Sequence, residues 1–106
     1  MLPEICRGIL VREGVQVGDE LPLAQLIREL ERAKPEAAAL ILRFKNHIEA
    51  CKMLQSDHEM RYKIPDIWRM QLEMSKSEFK KSHGALSEYL IKNGFEQLAE
   101  AYLPEI

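Results

Sequence analysis

His47 and Cys51 stand four residues apart, a spacing that puts two ligands on one helix face and can bring both to one metal ion. There is no second pair at ligand spacing, and Cys6 and His58 could join this pair only by an accident of the fold. The pair therefore reads as a core cysteine beside a partly buried histidine, and no metal or cofactor is expected. His58, next to Glu59, and His83 read as surface residues rather than catalytic bases. Acidic pairs such as Glu29 and Glu31 fall on the wet face of a helix. No glycine-rich phosphate loop, nucleophile elbow or paired metal motif occurs. The expectation is a chain with no catalytic residues, not an enzyme.

The elements that must position these side chains are helical. Of 106 residues, 46% are apolar and 30% charged, with only five Gly and five Pro, a globular composition rich in helix formers. One domain spanning 1–106 is expected, long enough to bury a core without metal or disulfide support. Residues 2–13 read as a helix, with Pro3 in its first turn and Gly14 just past its end. A hairpin pairing 9–12 with 15–17 is the competing reading, since Val15 and Val17 alternate with Gln16. Leu23, Leu26, Ile27 and Leu30 give an i, i+3, i+4, i+7 stripe from Pro22 to about Ala33. Pro35 stops that helix and starts the next. The longest helix is expected from Pro35 to about Gln55. Its wide apolar face (Ala37, Leu40, Ile41, Phe44, Ile48, Cys51, Leu54) makes it the spine of the fold.

After Ser56-Asp57, residues 59–63 read as a turn or short helix, and Ile64-Pro65 sets a boundary. A helix carrying Ile67, Trp68, Met70, Leu72 and Met74 follows. Ser75-x-x-Glu78 reads as a capping box for a further short helix through Ser82. Residues 84–105 then form two short amphipathic segments joined at Asn93-Gly94. Gly94 suits the left-handed C′ position, with Phe95 folding back on Leu90 or Ile91. The predicted architecture is all-α, a small bundle of five or six helices with a C-terminal helical hairpin. The Met-rich apolar region around Trp68 reads as core, and as a partner site if Trp68 is exposed beside Met70 or Met74.

Charge is unevenly distributed. Residues 1–42 carry net −2, residues 43–83 net +3 and residues 84–106 net −3. A mildly basic middle between acidic ends reads mainly as a solvated surface. The overall −2 argues against a surface dedicated to nucleic acid. No basic-then-apolar leader opens the chain, and no apolar run is long enough to span a bilayer. A cytoplasmic protein with reduced thiols and no membrane association is expected.

Two resemblances suggest functions. Leu86, Tyr89, Leu90, Asn93, Gly94, Phe95, Ala99, Tyr102 and Glu105 resemble a lissencephaly-homology (LisH) motif, with Leu98 where that family often has Thr. The resemblance implies a homodimer in which two helical pairs build a four-helix bundle. Its interface would be Leu86, Tyr89, Leu90, Phe95, Leu98 and Tyr102. Residues 75–93 resemble a helix-turn-helix DNA reader, with 77–82 as first helix, Gly84 in the turn and 85–92 as recognition helix. That resemblance implies phosphate contacts from Lys76, Lys80, Lys81 and Lys92. Against it, Lys80 fills a position that needs a small residue, His83 one normally apolar, and Glu88 would face DNA. The expected function is a small non-enzymatic protein-interaction or adaptor domain that self-associates through its C-terminal hairpin. The alternative is a DNA-binding regulator. An inhibitor or immunity-type protein that binds one macromolecule is the third reading.

Overall fold

The computed structural model describes residues 1–103, and every residue named below lies within that span unless stated otherwise. It contains α1 (Leu2–Arg12), α2 (Leu23–Ala33), α3 (Pro35–Ser56), α4 (His58–Lys63), α5 (Pro65–Lys92) and α6 (Glu96–Tyr102). The fold is all-α, as the periodicity predicts, and no strand occurs among the described residues. None of these helices is long and apolar enough to cross a membrane.

Prolines open three of the helices. Pro3, Pro35 and Pro65 sit in the first turn of α1, α3 and α5, where a missing N–H costs no hydrogen bond. Glycines close two of them in the same geometry. Gly14 and Gly94 have φ of 78° and 81°, the left-handed region that glycine enters without steric cost. After α1, Gly14 N–H donates to the Val11 carbonyl and Val15 N–H to the Leu10 carbonyl. After α5, Gly94 N–H donates to Ile91 and Phe95 N–H to Leu90. Both are Schellman stops, in which the reversed chain satisfies carbonyls the helix leaves open. Phe95 folds back into the core beside buried Leu90, as the sequence predicts. The chain after Gly14 adopts no strand, so the hairpin reading of 9–17 gives way to a capped helix.

α5 departs from expectation. Its 28 residues run unbroken through both expected boundaries, the Ser75-x-x-Glu78 box and Gly84. Leu72, Ser75, Phe79, Ser82, Leu86 and Tyr89 recur at alternating steps of three and four, the heptad spacing of a continuous helix seam. This seam lies along antiparallel α3. Phe44 meets Phe79 at 5.3 Å between ring centroids, His47 meets Ser82, and Cys51 meets Ser75. A glycine inside a helix costs about 1 kcal/mol relative to alanine. Burial of Phe44, Leu86 and Leu90, each about 1.5–3 kcal/mol, outweighs it.

The core occupies one end of the molecule. Ile5, Cys6, Ile9 and Leu10 of α1, Leu26 and Leu30 of α2, Ile41 and Phe44 of α3, and Leu86 and Leu90 of α5 are all buried there. α6 closes this end, with Ala99 buried and Leu98 lying on Gly8 of α1. Arg12 ties the last turn of α1 to the end of α5. Its guanidinium donates to the Asn93 and Gly94 carbonyls at 3.0 and 2.9 Å and stacks on Phe95, 4.0 Å from the ring centroid. Beyond this globule α3 and α5 continue together as an arm, closed at its tip by α4. The molecule is accordingly long, 51 × 26 × 21 Å.

Candidate partner-binding surface

The arm is thinly covered, and its sequence explains why. Two helices side by side bury only the strip between them, so apolar residues elsewhere on their circumference remain wet. Among the described residues, six of the ten exposed large apolar side chains fall between residues 53 and 74. Ile67, Met70 and Met74 are 45%, 57% and 63% exposed. Their i, i+3, i+7 spacing aligns them as one stripe. At 100° per residue that stripe lies on the back of α5, away from the Leu72–Ser75–Phe79 seam that faces α3. Tyr62 and Ile64, also exposed, precede it at the tip. Met53 is exposed on the arm's other helix.

The tip itself is well ordered by polar contacts. The Asp57 side chain accepts from Met60 N–H and caps α4, compensating an otherwise open donor. The Trp68 indole N–H donates to the Leu54 carbonyl at 2.6 Å, satisfying the last turn of α3. Arg61 covers the other side of the indole, 5.1 Å from its centroid. Trp68 is thus half-buried and held, while Met70 and Met74 beside it in sequence are exposed. Exposed methionines form adaptable contact surfaces because the unbranched thioether repacks at low cost.

A trough of about 380 Å³ runs along the side of the arm between α3 and α5. Ile48, Cys51 and Phe79 line it with apolar atoms, and Lys52, Lys76 and Lys80 stand around it. Lys52 and Lys80 have no ion-pair partner among the described residues, and Lys76 reaches Glu73 only at 4.0 Å. Cys51 is half-buried, and its thiol lies 3.1 Å from the Ser75 hydroxyl.

The polar groups inside the α3–α5 seam serve packing. Ser82 is buried, and its hydroxyl donates to the Glu78 carbonyl one turn earlier at 2.8 Å. The same hydroxyl lies 3.2 Å from the Phe79 carbonyl and 2.7 Å from His47 Nδ1, a contact whose donor is set by the imidazole tautomer. His83 stacks edge-on against Phe44 at 5.7 Å instead of lying on the surface. His47 and Cys51, a ligand pair by spacing, each face a different serine of α5. Burial pushes the Cys6 thiol up to about 11, which keeps it protonated and inert.

The residues singled out from sequence divide into two groups. Leu86, Leu90 and Phe95 are buried in the chain's own core, and Tyr89, Leu98 and Tyr102 pack half-buried against it. The apolar face assigned to a second copy is therefore covered by α1 and α6 of the same chain. Glu105, the last residue of the LisH resemblance, lies outside the described residues. The lysines assigned to DNA all project from one continuous helix. The helix-turn-helix reading is corrected accordingly: no turn exists at Gly84, and 77–82 and 85–92 are one rod. Lys92 pairs with Glu88 at 2.7 Å and Lys81 with Glu78 at 3.5 Å, which partly neutralises that row. The trough is not singled out from sequence as a binding surface. The Met-rich region reads there as core, with a partner site as the alternative if Trp68 is exposed. The core reading is corrected, since Ile67, Met70 and Met74 are exposed while Trp68 is half-buried. The signal for the trough is the heptad seam of α5 with lysines flanking it. The signal for the stripe is a second apolar face, Ile67–Met70–Met74, on a helix already amphipathic through Leu72 and Phe79.

Comparison with known proteins returns no matching family, no similar curated protein and no similar solved structure.

Proposed function

We propose that this chain is a non-enzymatic protein-interaction domain whose working element is the α3–α4–α5 arm. The observation that carries this reading is the exposed Ile67–Met70–Met74 stripe on the back of α5. Three aligned apolar side chains, about half exposed each, have an unfavourable contact with water that a partner would relieve at about 25 cal/mol per Å² buried. The globular end holds α3 and α5 in register, and the Trp68–Leu54 bond holds the tip. The arm is thus presented as a preformed surface, which lowers the ordering cost of binding. Self-association through Leu86, Tyr89, Leu90, Phe95, Leu98 and Tyr102 would first require α6 to leave the core, so the arm is the better-supported interface.

The reading is tested by placing a photo-crosslinking amino acid at Met70 in cells that make the protein. A discrete protein adduct is expected there, absent when the same group replaces Arg28 on the exposed face of α2. The adduct should disappear in Ile67→Asp/Met74→Asp, a variant that keeps wild-type helicity and melting because both positions are wet. Equal adducts from positions 28 and 70, or persistence in the double variant, would refute the arm as the binding element. An adduct of twice the chain mass would identify a second copy as the partner.

A further inference from the structure

The trough between α3 and α5 has a chemistry distinct from the stripe. Its floor is apolar, from Ile48, Cys51 and Phe79, and its rim is cationic on both walls, with Lys52 on α3 and Lys76 and Lys80 on α5. It extends from Ile48 to Gln55 on one helix and from Lys76 to Lys80 on the other. Seven residue steps at 1.5 Å each make it about 10 Å long, two turns of an α-helix. An amphipathic helix laid in a groove anchors through residues at i, i+3, i+4 and i+7, which is this length. We propose that the trough docks an acidic amphipathic helix of a partner protein, apolar anchors on Phe79 and Ile48 and carboxylates flanking them toward the three lysines. This rests on the arm being a partner-binding element and names the chemistry of one partner segment.

The charges select the occupant. Lys52 and Lys80 lack carboxylate partners among the described residues, and Lys76 has only the 4.0 Å contact to Glu73, so little must be broken before a ligand's carboxylates bind. A symmetric pairing of two copies through this face would bring six lysines together in one interface. Like-charge juxtaposition of that kind disfavours self-pairing and leaves an acidic partner as the complement.

Cys51 supplies a built-in reporter. It lines the trough as a half-buried residue, whereas Cys6 is fully buried. Alkylation of the native chain by a small neutral maleimide should therefore report on Cys51 alone. The probe is a synthetic two-to-three-turn helical peptide with leucines on one face and glutamates on its flanks. The controls are the same peptide with lysines for glutamates and an acidic peptide of scrambled order. The expected result is slower Cys51 alkylation with the acidic amphipathic peptide only, weakening as salt rises. Lys52→Glu/Lys76→Glu/Lys80→Glu should reduce peptide affinity at least about tenfold, since three exposed ion pairs are lost and three like-charge contacts replace them. Lys80→Glu alone, a single exposed change, should give a smaller loss in the same direction. Ile67→Asp/Met74→Asp should leave the protection intact, since the stripe lies on another face of α5.

No protection at millimolar peptide, equal protection by the scrambled acidic peptide, or unchanged affinity in the triple variant would each overturn the proposal. Protection by a fatty-acid anion but not by the peptide would make the trough a lipid-anion site and overturn it. Protection that grows with protein concentration alone would put a second copy there and overturn it. Failure of the peptide with the Met70 adduct still formed would remove this inference and leave the arm's role standing.

Discussion

Substituting Gly94 by alanine should destabilise the protein more than substituting Gly14, although both residues close a helix in the same left-handed geometry. Their φ values, 81° and 78°, are equal within the scatter of such stops, so the backbone cost of a Cβ is shared. That cost is about 1–2 kcal/mol. The surroundings differ. A Cβ at Gly14 would meet nothing within 4 Å, whereas one at Gly94 would lie 2.9 Å from Arg12 Nη1. The end of the Arg12 side chain would have to shift, weakening its two hydrogen bonds to the Asn93 and Gly94 carbonyls and its stack on Phe95. Arg12 is exposed, so each hydrogen bond contributes only about 0.5 kcal/mol and the stack about as much. The expected excess for Gly94→Ala over Gly14→Ala is therefore about 1 kcal/mol. Urea titration of both variants, with slopes compared to ensure the same surface is exposed, measures it directly. In thermal melts the gap corresponds to roughly 5 °C for a domain of this size. Repeating the pair in an Arg12→Ala background completes the test, because with the guanidinium gone the two losses should agree within about 0.5 kcal/mol. Equal losses in the wild-type background, or a gap that survives removal of Arg12, would refute the assignment of Arg12 as the clamp joining α1 to the end of α5.

Gly8→Ala should also destabilise, for a different reason: its Cβ would fall 2.6 Å from a Leu98 methyl, pushing α6 off α1, at about 1–3 kcal/mol less the helix-propensity gain of about 1. Leu98→Ala combined with it should cost less than the two single changes added, and strict additivity in urea would count against a direct contact. Phe44→Ala should cost about 3–5 kcal/mol, since Phe44 is 1% exposed and stacks with Phe79 and His83; a loss under about 1.5 kcal/mol would mean the seam carries little of the stability. Cys6 has a proton affinity raised by burial, from an ordinary 9.0 to about 11. Between those values the unfolded thiol ionises while the folded one stays neutral, so its contribution is fully present below pH 9 and is lost as pH rises toward 11. Over that window the loss approaches about 3 kcal/mol. Stability measured from pH 8 to 11 should fall more steeply for wild type than for Cys6→Ala, and parallel curves would refute it.

The local stops and starts were readable because each depends on one residue's covalent constraint. Pro35 and Pro65 open helices, and Gly14 and Gly94 close them, through φ and a missing N–H or Cβ, with no reference to distant parts of the chain. The all-α class and the extent of α2 and α3 followed from apolar spacing for a similar reason. Where a local signal was only a preference, tertiary packing overrode it. Ser75 and Gly84 each suggested a break in α5, at a cost of at most about 1 kcal/mol to ignore. The seam against α3 ran straight through both, because burying Phe79, Leu86 and Leu90 along one line is worth more. Surface and core could not be told apart in the same way. Leu86–Leu90–Phe95 and Ile67–Met70–Met74 are equally apolar at similar spacing, yet the first lies inside and the second outside. What separates them is that α1 and α6 return to cover the end of α5, while its beginning meets only α3 and α4 among the described residues, which leaves its back open. The amino-acid sequence by itself determined which segments become helices and where most of them stop. Only the tertiary structure decided which of two apolar faces remains exposed, because that depends on contacts between residues as far apart as Arg12 and Gly94.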